Sequence, residues 1–432
     1  MMARFIGFVL IVLSCLGGTL QLEYRVNVGF PLGAWDAAML ALIAIGLWRA
    51  ASRARAVHAS TLPVLLAAFA FATLGGIIVA LQNGNATYEL LLTFRNFVAV
   101  PLSAWAVFAI VDREFDYRIF FRWFAIAGAL SGLLVIVFVL GQGGQSRPFS
   151  DVNQLRTVDY GTFAALLATV FLTYAITMKL VVLGRRFDEL ALVIAFVGAV
   201  ATLSRSDWVS LVAGIFPILF LVPAASRRSL FRLIGVGVPL LGLGLAIFGA
   251  LGSAMLDVDL LHIMSDRVAT LDPNYAGEIE QNRAYDSRLP GAENEIREWF
   301  AGNIFFGSGF GWERRDFAAD GSKHNVWTST LAETGVFGVV AYLVALALLF
   351  RAGVMIVSRQ TRAPFARAYG VFAITSAVFF FVHGMVTMSF NTLREAVTLG
   401  IILGVALKLE AITSSHGEME SSRQQVVPRP SQ

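Results

Sequence analysis

The sequence predicts an all-α polytopic integral membrane protein of about twelve transmembrane helices, each built from a long apolar run. Three observations predict it. Of the 432 residues, 57% are hydrophobic and only 14% are charged, where a soluble domain carries roughly a quarter charged. Runs such as Leu190–Ser204 and Gly338–Phe350 hold no charge at all. Basic residues gather in every second connection between the apolar runs. Strand alternation is absent, which argues against a barrel.

In order, the apolar spans fall at 4–22, 34–50, 61–81, 90–111, 119–141, 158–182, 187–204, 207–223, 230–253, 325–350, 364–388 and 395–411. The first resembles a signal peptide, and Leu13-Ser14-Cys15 loosely resembles a lipoprotein cleavage site; an uncleaved first helix is the preferred reading, because the helix count is consistent if it stays. Cys15 is the one cysteine, which excludes an intramolecular disulfide and a cysteine-based metal site.

The basic connections carry Arg49, Arg53 and Arg55; Arg113, Arg118 and Arg122; Lys179, Arg185 and Arg186; Arg227, Arg228 and Arg232; and Arg351, Arg359, Arg362 and Arg367. The alternate ones are sparse: Arg25, Arg147 and Arg156, Arg205, Arg394. Short loops rich in Lys and Arg stay in the cytoplasm, so both termini are expected there. The net charge of +4 then reflects topology anchors, and no nucleic-acid partner is implied.

Four regions follow: helices 1–9 in 1–253, a large periplasmic loop in 254–324, helices 10–12 in 325–412, and a Ser-, Gln- and Pro-rich tail, 413–432, expected to be disordered. Long loops cross regardless of charge. Within the loop, Asp272–Gly291 is polar and irregular. Glu293–Ala301 reads as a short amphipathic helix with Ile296, Trp299 and Phe300 on one side.

Ionisable residues gather at the expected outer ends of the spans: Arg95, Arg205, Asp207, His324, Glu333, His383 and Arg394. The loop adds Arg283, Arg288 and Arg297 among others. Cations at one face suit an anionic group at headgroup level, such as a lipid diphosphate. Arg205, in Ser204-Arg205-Ser206-Asp207, either grips a phosphate through two parallel hydrogen bonds, or snorkels to headgroups or pairs with Asp207. His324 could be a base for a sugar hydroxyl, but taken alone it is read in preference as an interfacial His or a helix cap. The Gly307-Ser308-Gly309-Phe310-Gly311 turn is read as a flexible loop in preference to a phosphate cradle. Arg95 either lines a lipid cavity or snorkels. For His383, Asn391 and Arg394, interface anchoring is preferred over substrate contact.

At these residues the chain resembles the bacterial O-antigen ligase and O-antigen polymerase superfamily. His324-Asn325, followed after nine residues by Gly335-Val336-Phe337-Gly338, looks like the signature at the end of that family's large loop. Ser204-Arg205-Ser206 resembles its other marked site. Ser287-Arg288, followed by Phe306-Gly307-Ser308-Gly309-Phe310-Gly311, is similar to its Arg-then-glycine-turn pattern. Two departures stand out: Asn303-Ile304-Phe305-Phe306 lacks the usual proline, and Leu289-Pro290-Gly291 is less helix-like than the pattern.

The resemblance implies a periplasmic glycosyltransferase of the inner membrane, with no metal and no cofactor. Its donor would be a glycan on undecaprenyl diphosphate. Its acceptor would be lipid A–core sugar (ligase) or a lipid-linked repeat unit (polymerase, including exopolysaccharide types), with a chain-length regulator as a further partner. Arg205 and Arg288 would bind the diphosphate, and His324 would act on the acceptor hydroxyl. Asn325 would fix the loop or the His, and Arg283 and Arg297 would stand in for Arg288; apart from the resemblance, Arg95 and Arg394 are candidate substrate contacts from their place at the outer ends of the spans. Gly307, Gly309, Gly311, Gly335 and Gly338 would be structural. The competing class is a secondary transporter or lipid-linked-oligosaccharide flippase, against which stand the lack of an internal repeat and of a mid-membrane carboxylate relay.

Overall fold

The computed structural model describes residues 1–15, 26–27, 31–52, 61–85, 87–112, 115–142, 162–202, 204–233, 235, 239, 242, 293, 295–311, 325–359, 363–386 and 392–426. Helices there include α1 (Met2–Cys15), α2 (Ala34–Ser52), α3 (Leu62–Gln82), α4 (Thr87–Ile110), α5 (Tyr117–Gln142), α6 (Thr162–Thr177), α7 (Arg185–Ala201), α8 (Arg205–Leu221), α9 (Val326–Arg359), α10 (Pro364–Val386) and α11 (Leu393–Val426). A two-residue antiparallel ladder, Val26–Asn27 with Pro31–Leu32, lies between α1 and α2.

Seven of these helices, α2, α3, α4, α5, α9, α10 and α11, are long and apolar enough to cross a membrane. The helices α1, α6 and α8 are apolar but shorter, and α7 opens with Arg185, Arg186, Asp188 and Glu189. The expected ninth span lies almost wholly outside the described residues. The chain is a polytopic, helical membrane protein. Its outward surface agrees: Leu74, Val212 and Phe220 are each more than 60% exposed, a surface that lipid covers and water does not.

Local signals set the helix ends. A proline opens α3, where a missing N–H is harmless. Asp116 Oδ1 accepts the Ile119 amide at 3.0 Å and caps α5. Beyond residue 412 the structure differs from expectation, because α11 runs on to Val426. Glu, Met, Arg and Gln there favour helix, and the next proline is Pro428.

The helices pack through small residues and aromatic rings. Gly132 of α5 and Gly198 of α7 touch so closely that a Cβ on either would meet backbone, and Gly353 of α9 does the same against Gly370 of α10. Between membrane helices such contacts replace the missing hydrophobic driving force with van der Waals packing. At the centre, Phe121 stacks on Phe171 at 3.9 Å with rings 5° apart, and Phe372 and Tyr369 close the cluster. The Tyr369 hydroxyl donates to the Ile402 carbonyl at 2.8 Å.

The two ends of the bundle differ in chemistry. At one end Arg122 donates to the Val182 carbonyl (3.3 Å), Arg351 pairs with Glu410 (3.2 Å), Arg359 donates to Ser414 (2.7 Å), and Arg118 lies over Phe365. These residues belong to the basic connections, so one end of the bundle is the basic end. The segments from the sparse connections meet at the other end, and the site is there.

Candidate functional site

The site end is organised by a break in α9. Gly335 has φ 63° and ψ −161°, a conformation open essentially to glycine alone. A break strips backbone groups of their helical partners, which is costly wherever water is absent. Here the loop turn replaces those partners. Ser308 and Gly309 donate their amides to the carbonyls of Ala332 (2.7 Å) and Glu333 (2.9 Å), and Val336 and Phe337 donate theirs to Ile304 (3.1 Å) and Phe305 (3.2 Å). The glycine turn and the Gly335–Gly338 segment, read as separate motifs in the sequence, are two halves of one interlock.

Glycines permit the fit. Gly307, Gly309 and Gly311 all have positive φ. A Cβ on Gly309 would run into Ala80 of α3, and one on Gly307 into the Ala332 carbonyl. Gly338 sits directly against Thr334. From the end of α3, Asn83 donates to the Ser308 carbonyl (3.0 Å), and Asn85 donates to those of Ser308 (3.2 Å) and Phe310 (2.9 Å). Phe310 is buried against Phe97, and Phe306 fills the space over Gly75.

The turn is therefore a docked plug, and neither sequence reading of it describes what is seen. It is not a free loop. Most of the amides a phosphate cradle would use are already engaged: besides those of Ser308 and Gly309, the Gly307 amide goes to the Asn303 carbonyl (2.6 Å), and those of Phe305 and Phe306 to Asn303 Oδ1 (3.0 and 3.1 Å). Asn83 and Asn85 were missed as anchors; the Asn83-Gly84-Asn85 run is legible only as a turn.

Asn325 begins α9. Its Oδ1 accepts the amides of Trp327 (2.8 Å) and Thr328 (3.4 Å), the geometry of an N-cap. The Thr328 hydroxyl is hydrogen-bonded to Glu295, which ties the start of α9 to the short helix at 295–301. Arg297 is exposed on that helix. His324, Arg288, Arg283 and Asn391 lie outside the described residues.

Arg205 is the first residue of α8. Around it Ser204 Oγ and Ser206 Oγ lie 2.7 Å apart, and Ser210 donates to the Ser206 carbonyl at 2.6 Å. The end of α10 reaches both helix starts. His383 Nδ1 and Ser210 Oγ of α8 are 2.9 Å apart, while Phe381 lies 5.5 Å from Trp327 of α9. Arg205 and Asn325 thus begin helices on either side of the same end of α10.

A buried polar cluster completes this end. Arg394, in the first turn of α11 and 6% exposed, pairs with Glu395 at 3.3 Å and lies 5.3 Å over the ring of Trp35. Its charge also acts on Asp207 and His383. Next to Trp35, Asp36 bonds Arg95 at 2.9 Å and accepts the Gly33 amide at 2.9 Å. Buried this deeply, Arg394 and His383 are not headgroup anchors. Arg95 neither snorkels nor stands free, because Asp36 holds it. Asp36 and Glu395 were missed; an acid at the head of an apolar span is the signal that marks them.

Several donors and acceptors in the cluster remain unengaged among the described residues: Arg394 Nε and Nη1, Trp35 Nε1, Asp207 Oδ2 and Glu395 Oε2. Burying such groups without partners costs about 1–3 kcal/mol each, so this is a place suited to a polar guest. No protein-family model and no curated protein matches the chain.

Proposed function

We propose that the chain is a membrane glycosyltransferase that moves a glycan from undecaprenyl diphosphate to an acceptor sugar hydroxyl. The supporting observation is the interlock of the 304–309 turn with the break at Gly335. It joins the two glycine segments that carry the family resemblance, and it does so at the end of the bundle where α8 begins with Arg205 and α9 with Asn325. The basic end faces the cytoplasm on the positive-inside argument. The site end then faces the periplasm, in a chain of about twelve spans with both termini inside.

In the reaction, the acceptor oxygen attacks the anomeric carbon of the donor sugar. The bond from that carbon to the phosphate oxygen breaks, and the diphosphate leaves with the electron pair. His324 takes the hydroxyl proton. Arg205 and Arg288 meet the charge that develops on the diphosphate, so a diphosphate leaving group needs no metal. Arg283, Arg297, Arg95 and Arg394 are supporting contacts. The acceptor is lipid A–core or a lipid-linked repeat unit. A transporter or flippase is less favoured, because the buried acids Asp207 and Glu395 lie in the first turns of their helices and not at mid-span.

The test is the glycan and undecaprenyl-lipid profile of strains carrying Arg205→Ala, Arg205→Lys, Arg288→Ala and His324→Ala at normal membrane abundance. Each is expected to lose glycan transfer and accumulate lipid-linked precursor, Arg205→Lys included because two-pronged geometry is lost. Wild-type glycans in all four overturn the proposal. In a deletion strain, single repeats on core indicate a polymerase, bare core with long lipid-linked chains a ligase, and unchanged glycans with altered solute uptake a transporter.

A further inference from the structure

We propose that residues 296–305 of the large loop are a membrane wedge, entering at the boundary between lipid headgroups and acyl chains and reaching with Phe305 into the acyl layer. The segment turns its largest apolar side chains outward: Phe300 is 64% exposed, Phe305 58%, Ile304 46% and Ile296 37%. A loop bathed in water gains nothing from that arrangement, since exposing apolar area costs about 25 cal/mol per Å².

What covers the patch follows from its surroundings. Phe305 stacks on Phe337 of α9 at 5.6 Å, and Phe337 meets Phe71 of α3 edge-on at 4.7 Å. Phe71 opens the row Phe71, Leu74, Ile78 and Leu81, all more than half exposed along one helix. That row is on a helix long and apolar enough to span, so its cover is lipid. Phe305 joins the loop patch to that surface at the level of Phe71, eleven residues before the site end of α3 and so about 16 Å inside it at 1.5 Å per residue, and its occupant is the same bilayer.

The polar groups fit this placement. Glu293, Ile296, Arg297 and Phe300 are exposed along one stripe of the short loop helix, which sets charges beside apolar side chains, a mixture suited to the level where headgroups meet acyl chains. Arg297 reaches lipid phosphates by snorkelling. The Trp299 indole N–H, donated to the Ile304 carbonyl at 2.8 Å, is satisfied internally, as entry into a dry layer requires. Through the bond between Glu295 and Thr328, and through the interlock at Gly335, the wedge sets the height of Asn325 relative to the membrane. The inference does not depend on what reaction the chain performs.

The single cysteine makes the experiment direct. In a Cys15→Ser background, Phe300→Cys, Phe305→Cys and Glu293→Cys are labelled with bimane in nanodiscs. Quenching is read with aqueous iodide and with phospholipid carrying a shallow nitroxide. Positions 300 and 305 are expected to be quenched several-fold more by the lipid nitroxide than 293, with the order reversed for iodide. Equal iodide quenching at all three positions overturns the wedge. The unaltered chain gives a second reading. A photoactivatable phospholipid is expected to form adducts both at Leu74 and Ile78 and within 296–305; adducts on α3 with none on 296–305 overturn it.

Discussion

The amide of Val336 donates to the carbonyl of Ile304 at 3.1 Å, so a membrane helix closes its own break with the backbone of a loop. The bond exists because Gly335 leaves helical geometry immediately before it. Gly335→Ala is expected to destabilise the protein severely. The strained backbone alone costs about 1–3 kcal/mol, and the new methyl runs into Phe305. Thermal unfolding in detergent checks this; an unchanged midpoint means that the break does not need glycine.

Asn85 acts on the same turn from the side of α3. Asn85→Ala removes hydrogen bonds to Ser308 and Phe310, each worth about 1 kcal/mol net. Asn85→Asp is expected to be worse, because a carboxylate only accepts and would face carbonyl oxygens. Limited proteolysis is the readout: both variants are cleaved faster within 254–324, Asp before Ala. Equal cleavage of Asp and parent would show that the side chain does not hold the turn.

The helices were legible because a membrane span announces itself by composition alone, and the basic connections ordered them. The glycine turn and Gly335 were legible as motifs, but their bonding was not. Backbone hydrogen bonds between distant segments leave no residue-type signature, so a docked plug reads as a loose loop. Asp36 was hidden for a related reason. Its partner Arg95 lies on another helix, and only packing of α2 against α4 shows that the Arg is already engaged. The six charges in the first two turns of α7 and α8 (Arg185, Arg186, Asp188, Glu189, Arg205 and Asp207) were legible in the sequence, yet the burial of Asp207 near Arg394 depends on the fold of α11.

Arg394 and Glu395 form a buried pair whose coupling can be read from stability alone. Arg394→Met leaves Glu395 and Asp207 without their cation, at about 3–5 kcal/mol for an uncompensated buried charge. Glu395→Met leaves Arg394 with Asp207 near it, and is expected to be milder. In Arg394→Met/Glu395→Met the penalty falls below that of Arg394→Met alone, because one buried charge goes with its partner. Unfolding midpoints for the four proteins give the coupling. Additive losses would show that the pair is not coupled in the folded state.

Asn325 distinguishes capping from substrate contact. As the N-cap of α9 it accepts two amides, and Asn325→Ala is expected to cost about 1 kcal/mol. Serine caps as well as asparagine does, but it lacks the amide N–H group that a substrate oxygen would use. Asn325→Ser is therefore expected to keep parental stability. If the role is capping alone, it also keeps glycan transfer, whereas loss of transfer at parental stability assigns the amide to the substrate. Asp is the less clean replacement: it favours the helix start but adds negative charge where a diphosphate is proposed to sit. Transfer should then fall in Asn325→Asp while the unfolding midpoint holds or rises, and a fall in both would show that the cap geometry itself had changed.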